Sequence, residues 1–322
     1  MIELKGLTKR FRVGNQFISA LDSLDLTISA GEVFGFIGPN GAGKSTTMKI
    51  LSGLLSADEG TAIVAGFDIR KDGDSIRRSL GYMPDFLGVY DDLTVDEYLQ
   101  FFAAAFKIPR GRRRAVVDQV LELTDLSLKR KAMVDSLSRG MQQRLGIARV
   151  LIHDPKVLLL DEPASGLDPR ARIEMRSLIT ELGKMGKTIM VSSHILTELG
   201  EMCTSLGMIE RGKLLFSGSL EDAFSRARAA GSGQERVKVI LENSGTPPEL
   251  VVADIQKDHR VASAVQDSLD PLAISIQLVP GEHGHHFLLA RLLAGGARVH
   301  SFIPEALKLE DAFLKLTTGA LQ

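Results

Sequence analysis

A glycine-rich octapeptide constrains this chain more than any other feature. Residues 38–45 read Gly-Pro-Asn-Gly-Ala-Gly-Lys-Ser, directly after an apolar run at Val33–Ile37 and before a helical pattern. That order of strand, loop and helix is what a phosphate-binding loop requires. Glycines let backbone N–H groups surround a phosphate chain, and the helix adds the positive end of its dipole. We therefore expect Lys44 to reach the β- and γ-phosphates of a nucleotide and Ser45 to hold Mg²⁺. The residues predicted to bind the nucleotide here are Gly38, Asn40, Gly41, Gly43, Lys44, Ser45 and Thr46.

Two carboxylates close a second apolar run. Leu158-Leu159-Leu160 continues into Asp161 and Glu162. Ligands of open α/β sheets bind beyond the carboxyl ends of the strands, which places Asp161 to hold Mg²⁺ through water. Adjacent residues at a strand end point in different directions, so Glu162 can face the γ-phosphate and orient or deprotonate the attacking water. An acidic turn is the structural alternative, and the upstream phosphate loop favours the chemical interpretation.

The apolar runs form an alternating pattern that predicts the fold class. Val33–Ile37, Val157–Leu160 and Thr188–Ser192 are short and unalternated, as is typical of strands buried on both faces of a parallel sheet. The longer amphipathic segments between them can serve as crossover helices, with helix starts at Thr94 and Ser138. The sequence thus predicts an α/β fold with a mostly parallel sheet.

Composition and charge narrow the range of partners. The 322 residues are 44% hydrophobic and carry a net charge of −1, which argues against a nucleic-acid backbone as the main partner. The single cysteine, Cys203, excludes an intrachain disulfide and fits a reducing compartment. No apolar run approaches the ~18 residues that a membrane helix needs. We therefore expect any membrane role to come through a partner protein.

A third pattern lies just upstream of the acidic motif. Residues 137–143 read Leu-Ser-Arg-Gly-Met-Gln-Gln and resemble the LSGGQ signature of the ATP-binding subunits of ABC transporters, with departures at the third and fifth positions. The retained Ser138 and Gly140 offer a hydroxyl and backbone N–H groups at a helix start, which can bind a γ-phosphate. The resemblance is strong over Ile2–Leu220. The chain is most similar to the exporter subclass typified by drug-resistance, sodium-extrusion and gliding-associated ATPases. The resemblance implies a P-loop fold of the ABC type, in which an antiparallel edge sheet and a helical subdomain accompany the mostly parallel core.

The resemblance implies roles for further residues. Residues 164–168 read Ala-Ser-Gly-Leu-Asp and resemble the D-loop, which lines the dimer seam in this family. Asp168 ends this D-loop segment. His194 resembles the switch histidine, which can hydrogen-bond the γ-phosphate and hold Glu162 in place. Phe11 lies where the family stacks an aromatic ring on adenine, and a place in the core is its structural alternative.

One predicted metal ligand departs from the family pattern. Asp85 follows Tyr82-Met83-Pro84 in a segment that resembles the Q-loop, where the family usually has Gln. A carboxylate can still bind Mg²⁺ or its water, although its reach is shorter. Asp85 therefore joins Ser45 and Asp161 as a predicted metal ligand.

The resemblance also implies partners. Ser138 and Gly140 of one subunit are expected to close on the ATP held by Lys44 of another, in a homodimer or a pair with a different ABC ATPase subunit. The expected ligands are ATP and Mg²⁺. A multi-span permease would hold the protein peripherally at the cytoplasmic face of the cell membrane. The apolar segment Phe86–Phe106 is the predicted contact with the permease, with core packing as the alternative.

The predicted organisation has two domains. An ABC ATPase domain is expected at 1–220, with a helical subdomain at about 86–150. A linker at 221–234 leads to an accessory α+β domain at 235–322. The alternative function is that of a non-transport ABC ATPase acting on a soluble macromolecular partner. Such proteins usually carry two cassettes or a long coiled coil, and this sequence has one set of motifs and no heptad run.

Overall fold

The described part of the chain divides within one helix. The computed structural model of the protein describes residues 1–86, 88, 92–227, 236–243, 245–268, 270–279, 281 and 284–305. One unit runs from Met1 to Asp222, and the other begins at Ala223. Helix Leu220–Ala227 crosses this division and occupies the first half of the segment predicted to be a linker. The rest of that segment lies outside the described residues.

The first unit contains two sheets and their connecting helices. Its elements in chain order are β1 (Ile2–Val13), β2 (Gln16–Ile28), β3 (Val33–Ile37), α1 (Lys44–Leu51), β4 (Glu59–Val64), β5 (Phe67–Asp68), α2 (Gly73–Ser79), β6 (Leu80–Met83), α3 (Val95–Ala105), α4 (Arg110–Leu123), a 3-10 turn (Ser127–Lys129), α5 (Arg139–Leu151), β7 (Val157–Asp161), α6 (Pro169–Lys184), β8 (Thr188–Ser193), α7 (Leu196–Met202), β9 (Ser205–Glu210) and β10 (Lys213–Ser219). The helix that crosses the division, Leu220–Ala227, is α8.

The larger sheet confirms the predicted parallel core. Its strand order is β10-β9-β3-β8-β7-β6, in which all neighbours are parallel except the edge pair β10 and β9. Every residue of β3, β7 and β8 is buried. Strands covered on both faces need apolar side chains on both, which explains their unalternated sequences.

A smaller antiparallel sheet shares the core with the parallel one. Its order is β2-β1-β4-β5, and β1 pairs with both β2 and β4. Leu4 and Leu26 of this sheet belong to one buried cluster with Phe34 and Phe36 of β3. The predicted ABC-type α/β fold with an antiparallel edge sheet is therefore confirmed.

Helices α3, α4 and α5 form the helical part of the first unit. Helix α3 begins at Thr94 with the capping box that the sequence indicates: the backbone N–H of Glu97 donates to Thr94 Oγ1 at 3.3 Å. The Glu97 carboxylate accepts from the Thr94 N–H at 2.9 Å. Such caps satisfy N–H groups that a helix start leaves without partners. No helix among the described residues is long and apolar enough to cross a membrane.

The second unit is a small α+β fold. Its elements are β11 (Arg236–Leu241), α9 (Pro248–Ile255), β12 (Val261–Gln266), β13 (Ala273–Leu278), α10 (His286–Ala294) and β14 (Val299–Glu305). The βαββαβ order and the antiparallel sheet β12-β13-β11-β14 define a ferredoxin-like fold. Val237, Ile276 and Leu288 belong to its core. Residues 306–322, the last part of the predicted accessory domain, lie outside the described residues.

Candidate functional site

Four neighbouring parallel strands end at the same edge of the larger sheet. Strands β3, β8, β7 and β6 lie side by side and run in the same direction. The chain leaves them into the glycine-rich loop, His194, Glu162 and Asp85, respectively. Side chains from four distant parts of the sequence therefore meet at one edge, which is where open α/β sheets bind ligands.

Close backbone packing fixes the glycine-rich loop. A Cβ atom on Gly38 would lie 2.2 Å from the carbonyl oxygen of Ile209, and one on Gly43 would lie 2.7 Å from that of Ala20. Gly43 also has a φ of 114°, a conformation that favours glycine, and it caps helix α1. These two glycines let the loop pass close to strand β9 and start the helix at Lys44.

Lys44 is buried at the centre of the site, with only 6% of its surface exposed. Its Nζ donates to the carbonyl oxygen of Gly38 at 2.6 Å and lies 3.5 Å from Glu162 Oε1. A buried ammonium group needs such partners because loss of hydration is costly. The side chain is thus held where the loop's backbone and the acidic motif meet.

Glu162 joins the glycine-rich loop to the end of β8. Its Oε2 lies 2.8 Å from His194 Nδ1, while its Oε1 faces Lys44. Its φ of 50° lies in the left-handed region, which turns the chain sharply after β7. The two carboxylate oxygens therefore have different partners, an ammonium group and an imidazole.

Ser192 is a site residue that sequence reasoning missed. Its hydroxyl donates to Asp161 Oδ1 at 2.5 Å and accepts from the Glu162 N–H at 2.9 Å. Ser192 and Asp161 are directly paired across the parallel strands β8 and β7. A hydroxyl beside the acidic strand end was the available signal, but using it requires the strand order and register.

A cavity of about 290 Å³ opens among these groups. Its lining consists of Pro39, Asn40, Gly41, Ala42, Gly43, Lys44, Ser45, Thr46, Asp85, Glu162, Ser165 and His194. The lining thus combines the backbone of the predicted phosphate loop with two carboxylates, a lysine and an imidazole. The carbonyl oxygen of Gly38 accepts a hydrogen bond from Lys44 Nζ. Asp161, next to Glu162 in the chain, is only 2% exposed.

Asp85 experiences the other acidic groups of the site. Burial raises the pKa of its carboxyl group, and the negative charges of Asp161 and Glu162 raise it further. Electrostatic interactions with Arg139 and His194 oppose this shift in pKa. Asp85 therefore lies in a concentration of negative charge that a cation would relieve.

Six predicted site residues do not line this cavity, as the described residues define it: Gly38 and Asp161, which lie next to it, and Phe11, Ser138, Gly140 and Asp168. Ser138 caps α5 and accepts from the Met141 N–H at 3.4 Å. Asp168 caps α6 and accepts from the Ala171 N–H at 2.9 Å. A Cβ atom on Gly140 would lie 2.9 Å from that of Ala171, so the signature packs on α6.

Phe11, another predicted site residue outside the cavity, belongs to the β1–β2 hairpin. It pairs with Ile18 across the two strands and is 39% exposed. The ammonium group of Lys9 lies 5.5 Å from the centroid of its ring. A partly exposed ring on a hairpin leaves a face free for stacking.

Arg139 is one of the two departures in the signature. It is a second residue whose contacts the sequence does not reveal. A Cβ atom on Gly166 would lie 2.5 Å from Arg139 Cζ, so the guanidinium group lies directly against the D-loop segment. Gly166 has a φ of 67°, which any other residue adopts at a cost. The signature and the D-loop of one chain are thus in contact.

Strand, glycine-rich loop and buried lysine define a P-loop nucleotide-binding protein, and known proteins narrow the class. Residues 21–165 match the ABC transporter family. The chain is 34% identical to an uncharacterized ABC transporter ATP-binding protein of Synechocystis over 86% of itself and 81% of that protein. It is 31% identical to the linearmycin resistance ATP-binding protein LnrL of Bacillus subtilis over 93% of itself and 94% of LnrL.

Two further comparisons concern part of the chain. It is 38% identical to the probable multidrug ABC transporter ATP-binding protein YbhF of Escherichia coli over 73% of itself, but spans only 39% of YbhF. A dimeric ATP-binding cassette bound to ADP and Pi in a post-hydrolysis state has a TM-score of 0.63 and 27% identity, covering 68% of this chain and 99% of that one. The chain therefore belongs to the ATP-binding subunits of ABC transporters, a family of ABC ATPases.

Proposed function

We propose that this chain hydrolyses ATP in a composite site formed by two ABC ATPase subunits and powers export through a separate permease. The chain of contacts from Lys44 through Glu162 to His194 carries the proposal. Along one cavity it places Lys44 to bind phosphates, Glu162 to act on water and His194 to orient the Glu162 carboxylate.

The cradle for the triphosphate is the loop that ends in Lys44. Its backbone N–H groups and the start of α1 favour negative charge. The γ-phosphate is expected to take over the Nζ contacts that Lys44 now makes with Gly38 and Glu162. Phe11 would stack on the adenine ring at the outer end of the nucleotide.

The residues that face the cavity suit Mg²⁺, which prefers hard oxygen ligands and keeps several waters. Ser45 and Asp85 line the cavity and offer a hydroxyl group and a carboxylate. The buried Asp161, next to Glu162 and oriented by Ser192, offers a second carboxylate from behind the lining. Burial and the negative charges of Asp161 and Glu162 raise the pKa of the Asp85 carboxyl group. A cation bound here would offset those charges, which supports a metal site. When bound, the ion would neutralise charge on the phosphate oxygens.

Glu162 is the proposed general base. It would orient or deprotonate the water that attacks the γ-phosphate, and His194 would hold its carboxylate through the 2.8 Å contact. Since one of its oxygens already has the imidazole as a partner, the other is left to face water once Lys44 turns to the phosphate.

The composite nature of the site rests on the signature residues. Ser138 and Gly140 lie at the start of α5, outside the cavity that holds Lys44. A helix start with free N–H groups binds phosphate, so a second subunit could supply it to this cavity. The fold shared with a dimeric cassette bound to ADP and Pi supports this arrangement.

The proposed partner is a multi-span permease, which would hold the chain peripherally at the cytoplasmic face of a membrane. Among the described aromatic residues of the predicted contact segment, Phe86 and Phe101 are the most exposed, at 85% and 50%. Exposed aromatic rings favour a protein contact over solvent. The names of LnrL and YbhF, which refer to resistance and multidrug transport, support export.

The direct test of the chemistry is phosphate release by the purified chain with Mg-ATP. The proposal predicts steady turnover that stops in Glu162→Gln. A wild-type chain that binds Mg-ATP and releases no phosphate, alone or with its permease, would contradict the proposed function.

A further inference from the structure

Glu198 is a buried carboxylate that the proposed chemistry does not use. It lies in α7, one turn after His194, and is only 6% exposed. Its Oε1 has no hydrogen-bond partner among the described residues. Burial raises the pKa of its carboxyl group, and the positive charges of Arg172 and Arg176 offset this only in part. A buried carboxylate held with so few hydrogen bonds is costly for stability, which calls for another reason for its position.

On one side, Glu198 contacts the turn that carries His194. Its Oε2 lies 3.5 Å from the Ser193 hydroxyl, which in turn accepts from the Ile195 N–H at 3.0 Å. Ser193 and Ile195 flank His194, and His194 contacts Glu162. The Glu198 carboxylate therefore contacts the turn that aims the imidazole at the proposed base.

On the other side, Glu198 faces an arginine that holds the D-loop segment. Arg172 Nε lies 3.6 Å from Glu198 Oε1 and donates to the carbonyl oxygen of Leu167 at 3.0 Å. Leu167 precedes Asp168, which caps α6. One guanidinium group thus joins the carboxylate behind His194 to the backbone of the D-loop segment.

We propose that Glu198 is a positioning residue that couples the D-loop segment, through Arg172, to the His194–Glu162 pair. The inference rests on the proposed function, in which the D-loop segment lies at the subunit seam. Arg172 cannot move with Leu167 without changing its distance to Glu198. Closure of the seam would thereby set the turn at Ser193 and aim His194 at Glu162, so that hydrolysis follows pairing of the subunits.

The structure offers matched controls for both partners. Glu201 lies on the same helix as Glu198 and pairs with Arg176 at the surface. Arg170 lies on the same helix as Arg172 and pairs with Glu174 at 3.0 Å. Substitutions of these exposed residues remove one charge from the same helices without touching the Leu167 or Ser193 contacts.

The first test measures ATP turnover by the full chain. Glu198→Gln and Arg172→Gln should each lower kcat about tenfold and leave KM for ATP within about twofold, since misplacement of a catalytic group slows chemistry more than binding. The double variant should be no slower than either single one, because both break the same connection. Glu201→Gln and Arg170→Gln should match the wild type.

The second test is amide hydrogen exchange, which needs no turnover. Both Glu198→Gln and Arg172→Gln should speed exchange at 164–168 and at 193–195 together, whereas the control variants should not. Wild-type kcat in Glu198→Gln, or a double variant whose loss is the product of the single losses, would overturn the inference. Exchange that rises in only one of the two segments would overturn it as well. If the wild type lacks turnover while the two segments still respond together, the proposed function fails and the coupling stands.

Discussion

Lys44 Nζ lies 3.5 Å from Glu162 Oε1, so the cation expected to bind phosphate and the expected base are partners before any nucleotide arrives. The same Nζ donates to Gly38 at 2.6 Å. It also lies 3.4 Å from the carbonyl oxygen of Pro39, and under the proposed function the phosphates of ATP compete for this buried ammonium group. In the proposed mechanism, the arrival of ATP frees Glu162 Oε1 to orient the attacking water, while Oε2 keeps its 2.8 Å contact with His194.

Glu162→Gln should nearly abolish hydrolysis without weakening ATP binding. The amide cannot accept the proton of the attacking water, and loss of a general base typically costs about 10²–10⁴-fold in rate. The change also removes a negative charge beside the γ-phosphate, so ATP affinity should stay equal or rise. Phosphate release and calorimetry measure the two effects. Turnover within a few-fold of the wild type would refute the base assignment.

Lys44→Ala should weaken nucleotide binding itself. The variant loses the only side-chain ammonium group among the described residues that line the cavity. Lys49→Ala is a suitable control because Lys49 lies on the same helix and is exposed. Calorimetry should show at least about a tenfold loss of ATP affinity for Lys44→Ala, a typical effect of losing a charged hydrogen-bond donor. Equal affinities in the two variants would count against the phosphate cradle.

Asp85→Ala tests the unusual residue of the Q-loop segment. If the carboxylate holds Mg²⁺ or its water, the Mg²⁺ concentration for half-maximal turnover should rise several-fold, at saturating ATP. The affinity for ATP without metal should stay unchanged or rise, since a nearby negative charge is removed. An unaltered Mg²⁺ dependence would remove Asp85 from the metal ligands.

The second unit should lose stability in acid through Asp258. Hydrogen bonds from Arg260 and then Arg291 hold the pKa of this carboxyl group well below its usual range, although it is only 7% exposed. A lowered pKa means that the unfolded state binds the proton more readily. The stabilisation is therefore complete above the ordinary carboxyl pKa and is lost as the pH falls below it.

Asp258→Asn should accordingly cost about 1–3 kcal/mol of the unit's unfolding free energy at pH 7, the typical loss for a charged hydrogen bond. Its effect should shrink toward pH 3. Amide exchange of β11 and β13 measures the unit within the full chain, and exposed Glu249→Gln serves as the control. An effect of Asp258→Asn that does not change with pH would show that the carboxylate charge contributes nothing.

The fold could be predicted from sequence because local signals agreed with it. Runs such as Val157–Leu160 are apolar throughout, which indicates strands buried on both faces of a sheet. The Thr94 cap marks the start of α3. The ferredoxin-like order of the second unit could not be predicted in detail. Helix α9 and strand β12 are short, and the pairing of β11 between β13 and β14 is set by distant contacts rather than local pattern.

The site could be predicted where one motif supplies several residues in sequence. The loop ending in Lys44 is of this kind. The contacts of Ser192, Arg139 and Glu198 could not be read in advance, since each depends on which strand or loop lies beside it. A lone serine, arginine or glutamate carries no such information in the sequence.

The composite site can be tested by measuring mass in solution. In the slow Glu162→Gln background, saturating Mg-ATP should convert the 34.9 kDa chain to a particle of about twice that mass, by light scattering. Adding Ser138→Asp should block this conversion and leave ATP affinity unchanged. Asp is a good helix N-cap, so the fold is retained, but its charge would repel the γ-phosphate of the other subunit. A Glu162→Gln chain that stays monomeric with ATP bound, or a Ser138→Asp chain that pairs as well as its parent, would contradict the account.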